Sequence, residues 1–86
     1  MEITNKFSMT VLSRSANESF VRACVAAFAA QLDPTLEEIS DIKTAVSEAV
    51  TNCIVHAYKE GAGKIYITGE ITDNNMLRLK IRDKGC

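Results

Sequence analysis

An apolar stripe runs at helical spacing through Ile39, Ile42, Val46, Ala49, Val50 and Cys53, with neither glycine nor proline between Leu36 and Tyr58. Such a stripe is stable only when a second layer covers it, so whatever else this chain forms must pack against one long helix. Two local signals mark where that helix starts. Asp33-Pro34 stops any preceding helix, because the residue before proline disfavours helical dihedrals, and Thr35 with Glu38 forms a capping box. The predicted helix therefore spans about Leu36 to Tyr58 and gives way to a flexible loop at Gly61-Ala62-Gly63.

The covering layer is readable on both sides of it. Phe7, Met9 and Val11 alternate with Ser8 and Thr10, which predicts a half-buried strand from Lys6 to Leu12. Ser15 with Glu18 reads as another capping box, and Phe20, Val21, Cys24, Val25, Phe28 and Leu32 then recur at helical spacing to predict a first helix over about Ser15 to Leu32. After the long helix come two alternating runs. Ile65, Ile67 and Ile71 face inward on one, Leu77, Leu79 and Ile81 on the other, and Asp73-Asn74-Asn75 supplies the hairpin turn. Lys64, Tyr66, Thr68 and Glu70 face outward on the first run, and Arg78, Lys80 and Arg82 on the second. With one face wet, both helices must lie on the other. The expected fold is a single α+β domain of order strand, helix, helix, strand, strand: a two-layer sandwich of helices on one face of a mixed, mostly antiparallel sheet.

Composition narrows the function classes. Eighty-six residues suffice for one small domain and no second core. The formal charge of −1 lacks the positive field of a nucleic-acid binder, so no direct nucleic-acid partner is expected. The longest apolar run, Ala23 to Ala30, is far short of the roughly 20 residues that cross a bilayer. Met1 to Asn5 carries no signal-peptide pattern. Cys24, Cys53 and Cys86 are odd in number and widely spaced, which fits neither a disulfide framework nor a zinc site and points to a reducing cytoplasm.

Candidate chemistry sits in two places. Glu48, Asn52 and His56 recur at every fourth residue on the shoulder of the long stripe, half toward the core and half toward a cleft. There a carboxylate can serve as a base, and an amide oxygen one turn on is a hard ligand suited to Mg²⁺ beside phosphate oxygens; the alternative is an ordinary solvated helix edge. His56 near the end of the helix can simply complement the helix dipole, and Cys53 falls on the packed stripe. The second place is Asp83-Lys84-Gly85 at the end of the last strand. A carboxylate followed by a close-approach glycine can seat a nucleotide base, or form a plain turn.

Taken together, Lys43 to Tyr58, with Glu48, Asn52 and His56, resemble the N box of the Bergerat-fold (GHKL) ATPases and kinases, and Arg82-Asp83-Lys84-Gly85 resembles the start of that family's first glycine box. Asn17 to Arg22 and Ala26 to Thr35 are similar to the anti-sigma F factor serine kinases in particular. The resemblance implies a protein that binds a sporulation sigma factor and uses MgATP to phosphorylate a serine of an anti-anti-sigma factor. It implies Glu48 as general base, Asn52 as the Mg²⁺ ligand, Asp83 as acceptor for the adenine amino group and Gly85 as the residue permitting close approach. Glu18 and Arg22, an acid and a base on an alanine-smooth face with Ala26, Ala29 and Ala30, become the partner-docking surface; on propensity alone they are a surface ion pair.

A homodimer paired through strand one is expected as well, since that strand lies at a sheet edge. The family pattern continues into an ATP lid and further strands after the point where this sequence stops, so residues 1–86 read as the N-terminal portion of the domain. Two alternatives are a non-catalytic sigma-factor-binding module and an ATPase in which Glu48 activates water.

Overall fold

The computed structural model describes residues 2–60 and 63–83, with the side chains of 58–60 left aside. Strand β1 (Ile3–Leu12) leads into helix α1 (Ala16–Ala29), which tightens into a single 3₁₀ turn (Ala30–Leu32); helix α2 (Leu36–Glu60) and strands β2 (Lys64–Thr72) and β3 (Leu77–Asp83) follow. The expected α+β order is borne out. The sheet, however, is wholly antiparallel among the described residues, in the order β1-β2-β3.

The Thr35–Glu38 capping box forms in both directions: Thr35 N–H donates to Glu38 Oε1 at 2.8 Å, and Glu38 N–H donates to Thr35 Oγ1 at 3.0 Å. The Thr35 donors, its backbone N–H most of all, hold the exposed Glu38 carboxyl below its ordinary pKa. The Ser15–Glu18 box does not form. Ser15 has helical dihedrals (φ −57°, ψ −31°) and its side chain makes no cap bond, because an N-cap hydroxyl reaches the helix from extended backbone. Asn17 ties the junction instead, its Nδ2 donating to the Leu12 carbonyl at 2.8 Å. At the other end of α1, Asp33 takes a left-handed conformation (φ 50°) ahead of Pro34 and stops the 3₁₀ turn.

The core lies between the two layers. Val21 and Val25 from α1, Val46, Val50 and Cys53 from α2, and Ile65 and Ile67 from β2 are buried together, with Phe7, Met9, Val11, Ile42, Leu79 and Ile81 packed around them. Cys24 and Cys53 are not disulfide-bonded. Two positions on α1 differ from expectation. Phe20 is 52% exposed although it belongs to the apolar spacing, because it lies about 100° around the helix from Val21, which takes the buried direction. Ala29, placed on the smooth outer face, is buried, one turn on from Val25.

Register fixes the sheet. Phe7, Met9 and Val11 pair with Gly69, Ile67 and Ile65, and these last two pair in turn with Ile81 and Asp83 beside them. The hairpin turn falls at 73–75 as expected, with Asn75 at φ 61° and its N–H donating to the Thr72 carbonyl at 3.0 Å. Strand β1 pairs on one side only, so it is an edge of the described sheet. Among the described residues no helix is long and apolar enough to cross a membrane.

Candidate functional site

Helix α2 places Glu48, Asn52 and His56 in one row, each about 6 Å along the axis from the last. Glu48 and Asn52 are exposed and His56 is half-buried. The two ends of this row meet different neighbours, Arg22 at one and Asp83 at the other.

At the Glu48 end, α1 supplies Arg22. Its Nη1 donates to Glu18 Oε1 at 3.1 Å, the anticipated pair one turn apart, and to Ser47 Oγ on α2 at 3.2 Å. Arg22, Ser40, Lys43, Thr44, Ser47 and Glu48 line an open groove of about 450 Å³. Glu48 and Arg22, expected as base and docking residue, thus share one concavity. Four of its residues, Ser40, Lys43, Thr44 and Ser47, had no role assigned from sequence; among them Ser47 steadies Arg22 and Lys43 adds a second cation. The trace of all four is polar spacing at every fourth residue, Ser40-Thr44-Glu48 and Lys43-Ser47, on the flank of the apolar stripe.

At the His56 end, β3 supplies Asp83. Antiparallel pairing sets Asp83 opposite Ile65, and it is buried at the floor between sheet and helix. His56 Nδ1 lies 2.7 Å from Asp83 Oδ2, with the histidine side chain 40% exposed and the aspartate side chain 4%. A buried carboxylate is tolerated where it is hydrogen-bonded, so this contact offsets part of the cost of holding Asp83 under the helix. It gives His56 a partner beyond the helix dipole. Lys84, Gly85, Cys86 and the Gly61-Ala62 part of the loop lie outside the described residues, so the expected glycine approach at Gly85 does as well.

A helix carrying a carboxylate and an amide on one shoulder, laid over a sheet with a buried aspartate beside that helix, has the layout of a Bergerat-type ATP-binding fold. The chain belongs to the histidine kinase-like ATPase domain family, whose pattern matches residues 11–86. Among curated proteins it is similar to the anti-sigma F factor of Caldanaerobacter subterraneus subsp. tengcongensis, with 59% identity over 85 residues that cover 99% of this chain and 59% of that protein. Those of Thermoanaerobacter sp. strain X514 (58% identity, 99% and 59% coverage) and Shouchella clausii (52%, 96% and 57%) are similar too. The chain thus spans about 59% of the length of the first of these relatives.

Proposed function

We propose that this protein is an anti-sigma factor that binds a sporulation sigma factor in the cytoplasm and acts as an ATP-dependent serine kinase toward an anti-anti-sigma factor. The observation that carries the reading is the row along α2: Glu48 opens onto the Arg22 groove at one end, and His56 meets Asp83 at the other. A nucleotide laid along that row has its base at Asp83 and its terminal phosphate toward Glu48. The names of the anti-sigma F relatives support sigma-factor binding, and the histidine kinase-like ATPase domain supports ATP-dependent chemistry.

Each residue then has a task its surroundings suit. Asp83, buried beside the helix, accepts a hydrogen bond from the adenine amino group; a carboxylate has about four acceptor sites, so the bond to His56 does not exhaust it. Asn52, exposed between Glu48 and His56, offers one hard oxygen. Mg²⁺ bound with a nucleotide is carried mainly by phosphate oxygens and touches the protein at one or two groups, so a single amide oxygen can serve it. Such an ion would offset the phosphate charge that otherwise repels Glu48. Glu48 takes the proton from the acceptor serine, and Arg22 and Glu18 hold the partner that presents it. The open edge of β1 pairs two copies into a homodimer.

The test is phosphoserine formation on an anti-anti-sigma protein by the parent and by Glu48→Gln. Removing a general base costs about 10²–10⁴-fold in rate, while nucleotide affinity should stay within about threefold, roughly 0.7 kcal/mol. Undiminished phosphorylation by the variant would rule out Glu48 as the base.

A further inference from the structure

We propose that His56 is a positioning residue of the nucleotide site: its Nδ1–H holds the plane of the Asp83 carboxylate and thereby sets selectivity for adenine over guanine. This rests on the reading of Asp83 as the base-recognition residue given above.

An aspartate's terminal torsion is broad and roughly two-fold, so rotamer preference alone does not say where its two oxygens point. A hydrogen bond to one oxygen does. Here Oδ2 lies 2.7 Å from His56 Nδ1, a short contact for a ring nitrogen and a carboxylate, in a setting where the aspartate side chain is only 4% exposed and water competes little. Because a carboxylate only accepts, His56 must donate from Nδ1, and this fixes the ring's tautomer: when the ring is neutral, Nε2 carries the lone pair. The anchor is stiff as well. His56 stands one turn from Asn52 on the same helix, so the acceptor for the base and the amide nearest the phosphates are tied to one rigid element, though His56 and Asp83 are 27 residues apart in sequence.

Selectivity follows from chemistry at the purine 6-position. Adenine presents an amino donor there and guanine a carbonyl acceptor. A carboxylate with a fixed plane meets the first with an acceptor and the second with like polarity. One whose plane is held less firmly there loses part of the bond to adenine and part of the repulsion against guanine.

The experiment combines titration of MgADP and MgGDP into the parent, His56→Leu and His56→Asn with the ¹⁵N spectrum of the His56 ring in nucleotide-free protein. Expected are a proton on Nδ1 in the parent, an ADP-over-GDP preference at least tenfold smaller in His56→Leu, and recovery to within about threefold in His56→Asn, whose amide nitrogen occupies the place of Nδ1. If His56→Leu fails to fold, His56→Gln takes its place, since its amide reaches one bond too far and should lose the preference. Either a bare Nδ1 or an unchanged preference in a folded Leu or Gln variant overturns the inference while leaving the nucleotide reading intact. A parent with no preference for ADP overturns the nucleotide reading and this inference with it.

Discussion

The guanidinium of Arg22 reaches from α1 to the hydroxyl of Ser47 on α2, with Nη1 3.2 Å from Oγ. This bond and the one to Glu18 hold a long, flexible side chain at the mouth of the groove that contains Glu48. Less rotamer entropy would then be left to lose on docking of the partner proposed for this face, which would favour binding through this residue.

Arg22→Ala should therefore cost partner affinity out of proportion to stability. Truncating an arginine at the centre of an interface commonly costs about 2 kcal/mol or more, which is roughly 30-fold in affinity. A half-exposed helix position replaced by alanine should move stability by only about 0.5 kcal/mol. Ser47→Ala should give a smaller loss of the same kind. Sigma-factor affinity measured beside thermal melts checks this, and affinity within twofold of the parent would remove Arg22 from the interface.

Gly69 is where the sheet tolerates no side chain. A Cβ at that position would sit 2.4 Å from Cε1 of Phe7, whose ring packs edge-on against Phe28 at 4.7 Å between centroids. Gly69→Ala should destabilise the fold by about 1–3 kcal/mol, the usual cost of overpacking. Phe7→Leu in the same chain should recover part of that loss, so chemical denaturation of both singles and the double variant should reveal a coupling. Simple additivity would show that the ring moves aside at no cost.

The start of α2 carries the acid dependence that can be read from this structure. The Glu38 carboxyl titrates below its ordinary value because Thr35 donates to its ionised form. A group whose pKa is lower folded than unfolded adds stability above its unfolded pKa and loses it as pH falls through the folded one. Glu38→Ala should thus lower the melting temperature near neutral pH, and the gap to the parent should close below the folded pKa. Parallel melts at pH 7 and near pH 3, both order-of-magnitude choices that bracket the titration of a carboxylate, test this. A gap independent of pH would show that the carboxylate contributes no charge-dependent capping.

What could be read from the chain was what is local in it. The Thr35–Glu38 box lies within one helical turn, and Ile65, Ile67 and Ile71 report their face by alternation alone; both formed as expected. The Ser15–Glu18 box carried the same hydroxyl-to-glutamate spacing and failed, because the junction after β1 turns too tightly for Ser15 to keep extended backbone. The candidate site divides in the same way. Glu48, Asn52 and His56 share a face by helical period. The contacts that give the row its surroundings, Arg22 to Ser47 and His56 to Asp83, join residues 25 and 27 positions apart, and no local pattern encodes those distances.

Asp83 carries the central claim, that the row along α2 ends at a base-recognition carboxylate. As an aspartate it can accept from His56 and from an adenine amino group at once. As an asparagine it has one acceptor oxygen for two donors, so one of them faces an amide N–H. Calorimetric titration of MgADP and MgGDP into the parent and Asp83→Asn, with the folded state of both verified, measures this directly. The expected result is a parent that prefers ADP and a variant that loses about 1.5–3 kcal/mol for ADP, the worth of a hydrogen bond to a charged group, while GDP holds or gains affinity because the amide N–H can face the guanine carbonyl. Equal loss for both nucleotides, or an unchanged affinity for ADP, would contradict the assignment.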